Sequence, residues 1–266
     1  MAINLTDLKR VRSTLPPRVL VYGVAGIGKT SLAAEFPNAV FLQTEEGTPG
    51  GIEIDTFGVL SGYGQVVEAL GSLYSEDHDF RTVVVDSLDA LEPMVWAETC
   101  GRNNWRTIED PGYGKGYLAA DSTWREFVDG CNALRRDRGM TIIWLAHSAV
   151  DRFEQPGSAP YNRYDLRLQK RGAAILTDEA DAILFMNTKV SVKETDAGFN
   201  KKALHAEGGG TRWLFADGRP AFIAKNRYGL PDSVMIQPGK GYAALAPHLP
   251  GAIPASDGLT AFTPHP

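Results

Sequence analysis

Residues 23–30 run Gly23-Val24-Ala25-Gly26-Ile27-Gly28-Lys29-Thr30, followed by Ser31. The spacing G-x-x-x-x-G-K-[ST] is that of a phosphate-binding loop. Glycines let the backbone curl until several N–H groups converge on phosphate oxygens, and a helix following the loop turns its positive end to the same anion. In this chemistry Lys29 reaches the β- and γ-phosphates, and the Thr30 hydroxyl is a ligand for Mg²⁺. Residues 23–31 are therefore the expected contacts of ATP. Val83-Val84-Val85-Asp86-Ser87 supplies a carboxylate at the end of an apolar run, where a metal shell beside the loop needs an anion. Thr30 and Asp86 are the expected metal residues. Splitting a phosphoanhydride also needs a group that orients or deprotonates water. Glu45, in Gln43-Thr44-Glu45-Glu46, is assigned that role, with Glu46 as the alternative. His147 follows another apolar run and could sense the γ-phosphate by hydrogen bonding. Lys225 and Arg227, two apart on an extended segment, project from one face like a pair of cationic prongs.

These groups need elements to position them. Residues 19–22, 40–43, 82–85 and 141–146 are short β-branched or apolar runs. Helical spacing separates them, over a stretch ending before Pro37 and over 65–74, 88–100 and 122–138. Continuous apolar strands alternating with helices imply an α/β fold with a mostly parallel sheet covered on both faces. Residues 101–118 are expected to form a loop rich in Gly and Trp, and 149–171 a long polar connection. A strand at 182–186 precedes further strands joined by turns up to residue 227, which gives C-terminal antiparallel strands. Residues 1–15 are expected to be an N-terminal extension and 16–246 one ATPase domain. Residues 247–266, rich in proline and poor in charge, are an expected disordered tail.

The 266 residues are 43% hydrophobic and 22% charged, with a net charge of −5. This is globular composition, and it excludes a protein that coats nucleic acid through bulk charge while leaving room for a local basic patch. Two cysteines, Cys100 and Cys131, are too few for a disulfide scaffold and are expected to be small buried apolar residues in a reducing cytosol. No apolar run is long enough to span a bilayer and no signal-peptide core opens the chain, so a soluble cytoplasmic protein without membrane contact is expected.

Together the phosphate-binding loop, a Glu directly after the second strand, Val-Val-Val-Asp-Ser and a polar residue ending the next strand resemble the RecA-like ATPase core. Tyr113-Gly-Lys-Gly-Tyr117, the strand ending in His147, and Ala224-Lys-Asn-Arg-Tyr-Gly-Leu-Pro231 resemble, more closely, phage-encoded single-domain RecA-like ATPases of the AAA type. The likeness spans roughly residues 16–236. It implies an oligomeric, DNA-stimulated ATPase of single-strand annealing or recombination, in the cytoplasm of an infected bacterium, with a single-strand-binding protein as a further partner. It also implies that Lys225 and Arg227 reach the γ-phosphate of a neighbouring subunit in a ring or filament. Two loops would hold single-stranded DNA. The first carries Arg102, Arg106 and Lys115 among Trp105, Tyr113 and Tyr117. The second carries Arg152, Arg163, Arg167, Lys170 and Arg171 among Phe153, Tyr161 and Tyr164, against Glu154 and Asp165. Cations for phosphates interleaved with aromatics for bases suit sequence-tolerant single-strand binding. Rival readings are a nucleotide-dependent switch or loader with weak ATPase, and a P-loop kinase. The kinase lacks a compact Arg-rich lid after the fourth strand.

Overall fold

The computed structural model describes residues 15–154, 157, 159–196 and 202–252, with the backbone path alone for 189–196 and 202–209. The order is β1 (Arg18–Gly23), α1 (Lys29–Ala34), β2 (Ala39–Gln43), β3 (Asp55–Val59), α2 (Tyr63–Ser75), β4 (Thr82–Asp86), α3 (Leu88–Asn103), α4 (Lys115–Asp137), β5 (Thr141–Phe153), β6 (Tyr161–Leu166), α5 (Lys170–Glu179), β7 (Ala182–Asp196), β8 (Lys202–Phe215), β9 (Lys225–Asn226), β10 (Ser233–Ile236) and α6 (Gly241–Leu245). Among the described residues the strands form one sheet in the order β10-β8-β7-β1-β5-β4-β2-β3. From β3 to β7 the neighbours are parallel, and β8, β9 and β10 add antiparallel.

Alternation along each strand divides the core in two. Leu20, Tyr22, Val83, Val85, Ile142 and Trp144 pack under α2–α5, with Trp124 and Phe127 of α4. Val19, Val21, Phe41, Val84, Ile143 and Leu145 pack under α1 and α6. Both cysteines are buried and free, and burial pushes the Cys131 thiol up to about 12.

The parallel register aligns the strand ends. Gly23 lies opposite His147 and Met186, and Asp86 opposite Gln43. The strand that carries His147, β5, sits between the strand of the phosphate loop and that of Asp86. All four candidate groups from strand ends therefore share one sheet edge.

Four expectations need correction. β3 was not foreseen, because all five of its residues are exposed and such an edge strand needs no apolar run. α4 begins at Lys115, so Lys115 and Tyr117 belong to a helix and not to a loop running to residue 118. Gly116 there is buried, and a Cβ on it would collide with the Ile108 carbonyl; close packing, not loop freedom, requires this glycine. Residues 149–171 are not an open connection. β5 continues to Phe153, pairs antiparallel with β6, and α5 follows. β7 likewise runs past Met186 to Asp196. At the C-terminal end, Leu249 is buried against the α1 side of the core.

Candidate nucleotide site

Lys29 is 6% exposed, and its Nζ donates to the carbonyls of Gly23 and Val24, both at 3.1 Å. Burial lowers its pKa, against the pull of the Asp86, Asp89 and Glu45 carboxylates. Thr30 Oγ1 donates to Asp86 Oδ2 at 2.7 Å. Burial raises the Asp86 carboxyl, although this hydrogen bond opposes it. A hydroxyl and a carboxylate meeting at the mouth of the loop fit Mg²⁺, which takes one or two protein oxygens and completes its shell with water and phosphate.

The ends of β2 and β4 are clamped together. Thr44 donates its N–H to the Asp86 carbonyl at 2.8 Å. Its hydroxyl donates to the Ser87 carbonyl at 2.7 Å and accepts the Ser87 N–H at 2.9 Å. The Asp86–Ser87 peptide is cis. Ser87 Oγ then donates to Glu45 Oε1 at 2.7 Å. Glu45 is half-buried beside the loop, whereas Glu46 is exposed and makes no hydrogen bond among the described residues.

His147 joins a cluster that the sequence did not announce. Its N–H donates to Asp89 Oδ2 at 2.6 Å, and its Nδ1 lies 3.3 Å from the same oxygen. Arg167 Nε donates to Asp89 Oδ1 at 3.0 Å, and Arg167 Nη2 lies 3.2 Å from His147 Nδ1. Burial alone would raise the Asp89 carboxyl, but the hydrogen bonds from His147 and Arg167 outweigh it and hold it below the usual range. An acid in the first turn of a helix is ordinary in sequence, so Asp89 carried no distinct signal. One turn on, Glu92 accepts the Gln169 N–H at the start of α5, at 3.0 and 3.1 Å. Burial pushes its carboxyl up to about 7.

Arg212 of β8 was also missed. A Cβ placed on Gly28 would lie 2.5 Å from Arg212 Nη1, so the guanidinium rests directly on the phosphate loop. Gly28, at φ 103°, needs glycine for its backbone as well.

The two expected DNA segments approach each other. Trp96 meets Tyr117, Thr99 meets Thr123 and Arg102 meets Glu126, so α3 and α4 run in the same direction and residues 104–114 double back. Arg171 pairs with Asp121, which ties the start of α5 to α4. Five of the eight cations are already paired: Arg102 with Glu98 and Glu126, Arg152 with Glu154, Arg163 with Asp165, Arg167 with Asp89, and Arg171 with Asp121. Asp151, facing Arg163 across the hairpin, adds an acid to the balance expected there. Arg106, Lys115 and Lys170 are exposed and make no ion pair among the described residues. Of the aromatics, Tyr113 stands fully exposed between Gly112 and Gly114, all three at positive φ. Phe153 lies under the Arg163 guanidinium, 3.9 Å from its ring centre.

Lys225 and Arg227 lie at the other edge of the sheet. β9 pairs with Ala182 and Ile183, the first residues of β7, about 10 Å of strand away from the level of Gly23. Lys225 Nζ donates to the Thr177 and Asp178 carbonyls, both at 2.9 Å, at the end of α5. Arg227 Nη1 donates to Asp181 Oδ1 at 3.0 Å, an acid that Arg18 and Arg135 also hold.

The mostly parallel sheet flanked by helices, with one strand inserted between those of the phosphate loop and Asp86 and antiparallel strands added from the C-terminal part, is a P-loop α/β fold. Residues 15–228 match the AAA_24 family, described as an AAA domain, and the chain belongs to that family. A crystal structure of the RadB recombinase is similar, with 16% identity and a TM-score of 0.46 over 83% of this chain and 86% of that one. No curated protein matches the chain. Among the described residues no helix is long and apolar enough to cross a membrane.

Proposed function

We propose that the protein is a Mg²⁺-dependent ATPase that acts on single-stranded DNA as a homo-oligomer. The observation that carries this reading is the meeting, at one sheet edge, of buried Lys29, the Thr30–Asp86 pair and Glu45 held by Ser87. The phosphate loop and Lys29 would bind the triphosphate. Thr30 and Asp86 would hold Mg²⁺, which would supply neutralisation of the charge that develops on the phosphates. Glu45 would take a proton from the attacking water as the bond from the γ-phosphorus to the leaving ADP oxygen breaks, giving ADP, phosphate and a proton. Arg106, Lys115 and Lys170, with Tyr113, offer phosphate and base contacts, and the Asp89–His147–Arg167 cluster joins that surface to the nucleotide. Annealing or recombination in a phage-infected cytoplasm, beside a single-strand-binding protein, belongs to the same proposal through the resemblance.

The cluster also favours a second reading, in which the nucleotide switches DNA binding with little turnover. Steady-state ATP hydrolysis with and without single-stranded DNA separates the two. Several-fold stimulation by DNA is expected for the ATPase. A rate indifferent to DNA, with DNA affinity that changes between ADP and ATP, would select the switch. Lys29→Ala should abolish hydrolysis and weaken nucleotide binding; wild-type turnover in that variant would overturn the site.

A further inference from the structure

We infer that Arg212 is a cation acting within the same chain on the terminal phosphate of the nucleotide, an inference that rests on the nucleotide site proposed above. The register places it there. Met186 lies opposite Gly23, the last residue of β1, and two residues further along β7, Thr188 lies opposite Arg212. Arg212 therefore stands just beyond the strand end from which the phosphate loop departs. Alternation fixes the face. Leu214, two residues on, is fully buried with Ile27, Leu32 and Met186 on the α1 side of the sheet, so Arg212 emerges on that same side. The guanidinium touches Gly28, the residue before Lys29, and Arg212 makes no ion pair among the described residues. An arginine half-buried against a loop built to gather anions, with donors in a planar fork, suits a phosphate oxygen better than a lysine would. Unlike Lys225 and Arg227, it needs no neighbouring subunit to reach its own loop.

The test uses the full-length protein. Calorimetric titration with Mg²⁺-ADP and with a non-hydrolysable Mg²⁺-ATP analogue is compared for wild type, Arg212→Ala and Arg212→Lys, alongside turnover and thermal melting. Arg212→Ala is expected to bind ADP within about threefold of wild type, to lose about tenfold or more in affinity for the ATP analogue, and to turn over about a hundredfold more slowly. Arg212→Lys should recover part of the analogue affinity, because it keeps the charge and loses the fork. Equal losses for ADP and the analogue would mean that Arg212 only supports the loop, and would overturn the inference. So would wild-type analogue affinity and turnover in both variants. If wild type itself binds neither nucleotide, the nucleotide site falls, and Arg212 with it. If melting shows Arg212→Ala unfolded, the Arg212→Lys comparison decides by the same criteria.

Discussion

Glu45 and Glu46 are neighbours in sequence and differ in surroundings. Only Glu45 is half-buried beside the loop and receives the Ser87 hydroxyl. Glu45→Gln should keep ATP binding and slow hydrolysis by about a hundredfold, a usual cost of losing a general base. If Glu46→Gln has that effect in single-turnover assays and Glu45→Gln does not, the base is the next residue. Glu92 bears on stability instead. Burial moves its carboxyl from the ordinary 4.5 to about 7, so the folded chain favours the protonated acid. The stability tied to that proton is complete below the ordinary value and is lost as pH rises through the folded value. Glu92→Gln imitates the neutral acid. Relative to it, wild type should lose on the order of 1–3 kcal/mol between pH 5 and pH 8. Urea unfolding at both pH values reads this directly, and a constant difference would show that Glu92 ionises normally in the fold.

The hairpin of β5 and β6 and the first turns of α4 and α5 make up the surface where DNA contact is expected. Exposed ion pairs there are worth little and can be exchanged for phosphates, but the three cations without an ion pair among the described residues have none of those pairs to give up. Replacing Arg106, Lys115 and Lys170 by Ala should weaken single-stranded DNA binding and lower the salt slope by about 2, at about 0.7 per phosphate contact. An unchanged slope in fluorescence titrations at several salt concentrations would mean these residues do not touch the backbone. At this scale the sequence was partly legible. The parallel strands are buried on both faces and so are written as continuous apolar runs, and the phosphate loop has a fixed spacing. β3 and the hairpin were hidden because exposed or one-sided pairing leaves no such run. The start of α4 was hidden because Gly114 and Gly116 look like loop residues, although one caps the helix and the other packs against Ile108. Arg212 and Asp89 belong to no motif; only strand register and helix packing bring them to the loop.

At the scale of the molecule, the nucleotide site and the Lys225–Arg227 pair occupy opposite ends of one sheet. A chain cannot fold one end onto the other, but head-to-tail contact between copies would bring them together, and contacts of that kind generate rings or filaments. If the pair serves a neighbour's site, ATPase per subunit should rise with protein concentration, from a floor set by the chain's own groups, Arg212 among them. Lys225→Ala combined with Arg227→Ala should bind ATP almost normally and hydrolyse poorly. The fold should tolerate the change. Arg18 and Arg135 still hold Asp181, and loss of the Lys225 contacts at the end of α5 costs about 1 kcal/mol. Mixing this variant with Lys29→Ala gives the sharper measurement. In a random one-to-one mixture, about a quarter of head-to-tail interfaces join an intact phosphate loop to an intact cation pair. Two inactive proteins should therefore regain up to about that share of wild-type turnover. If the two co-assemble by sedimentation and no activity returns, Lys225 and Arg227 serve only their own chain, one at the end of α5 and the other on Asp181.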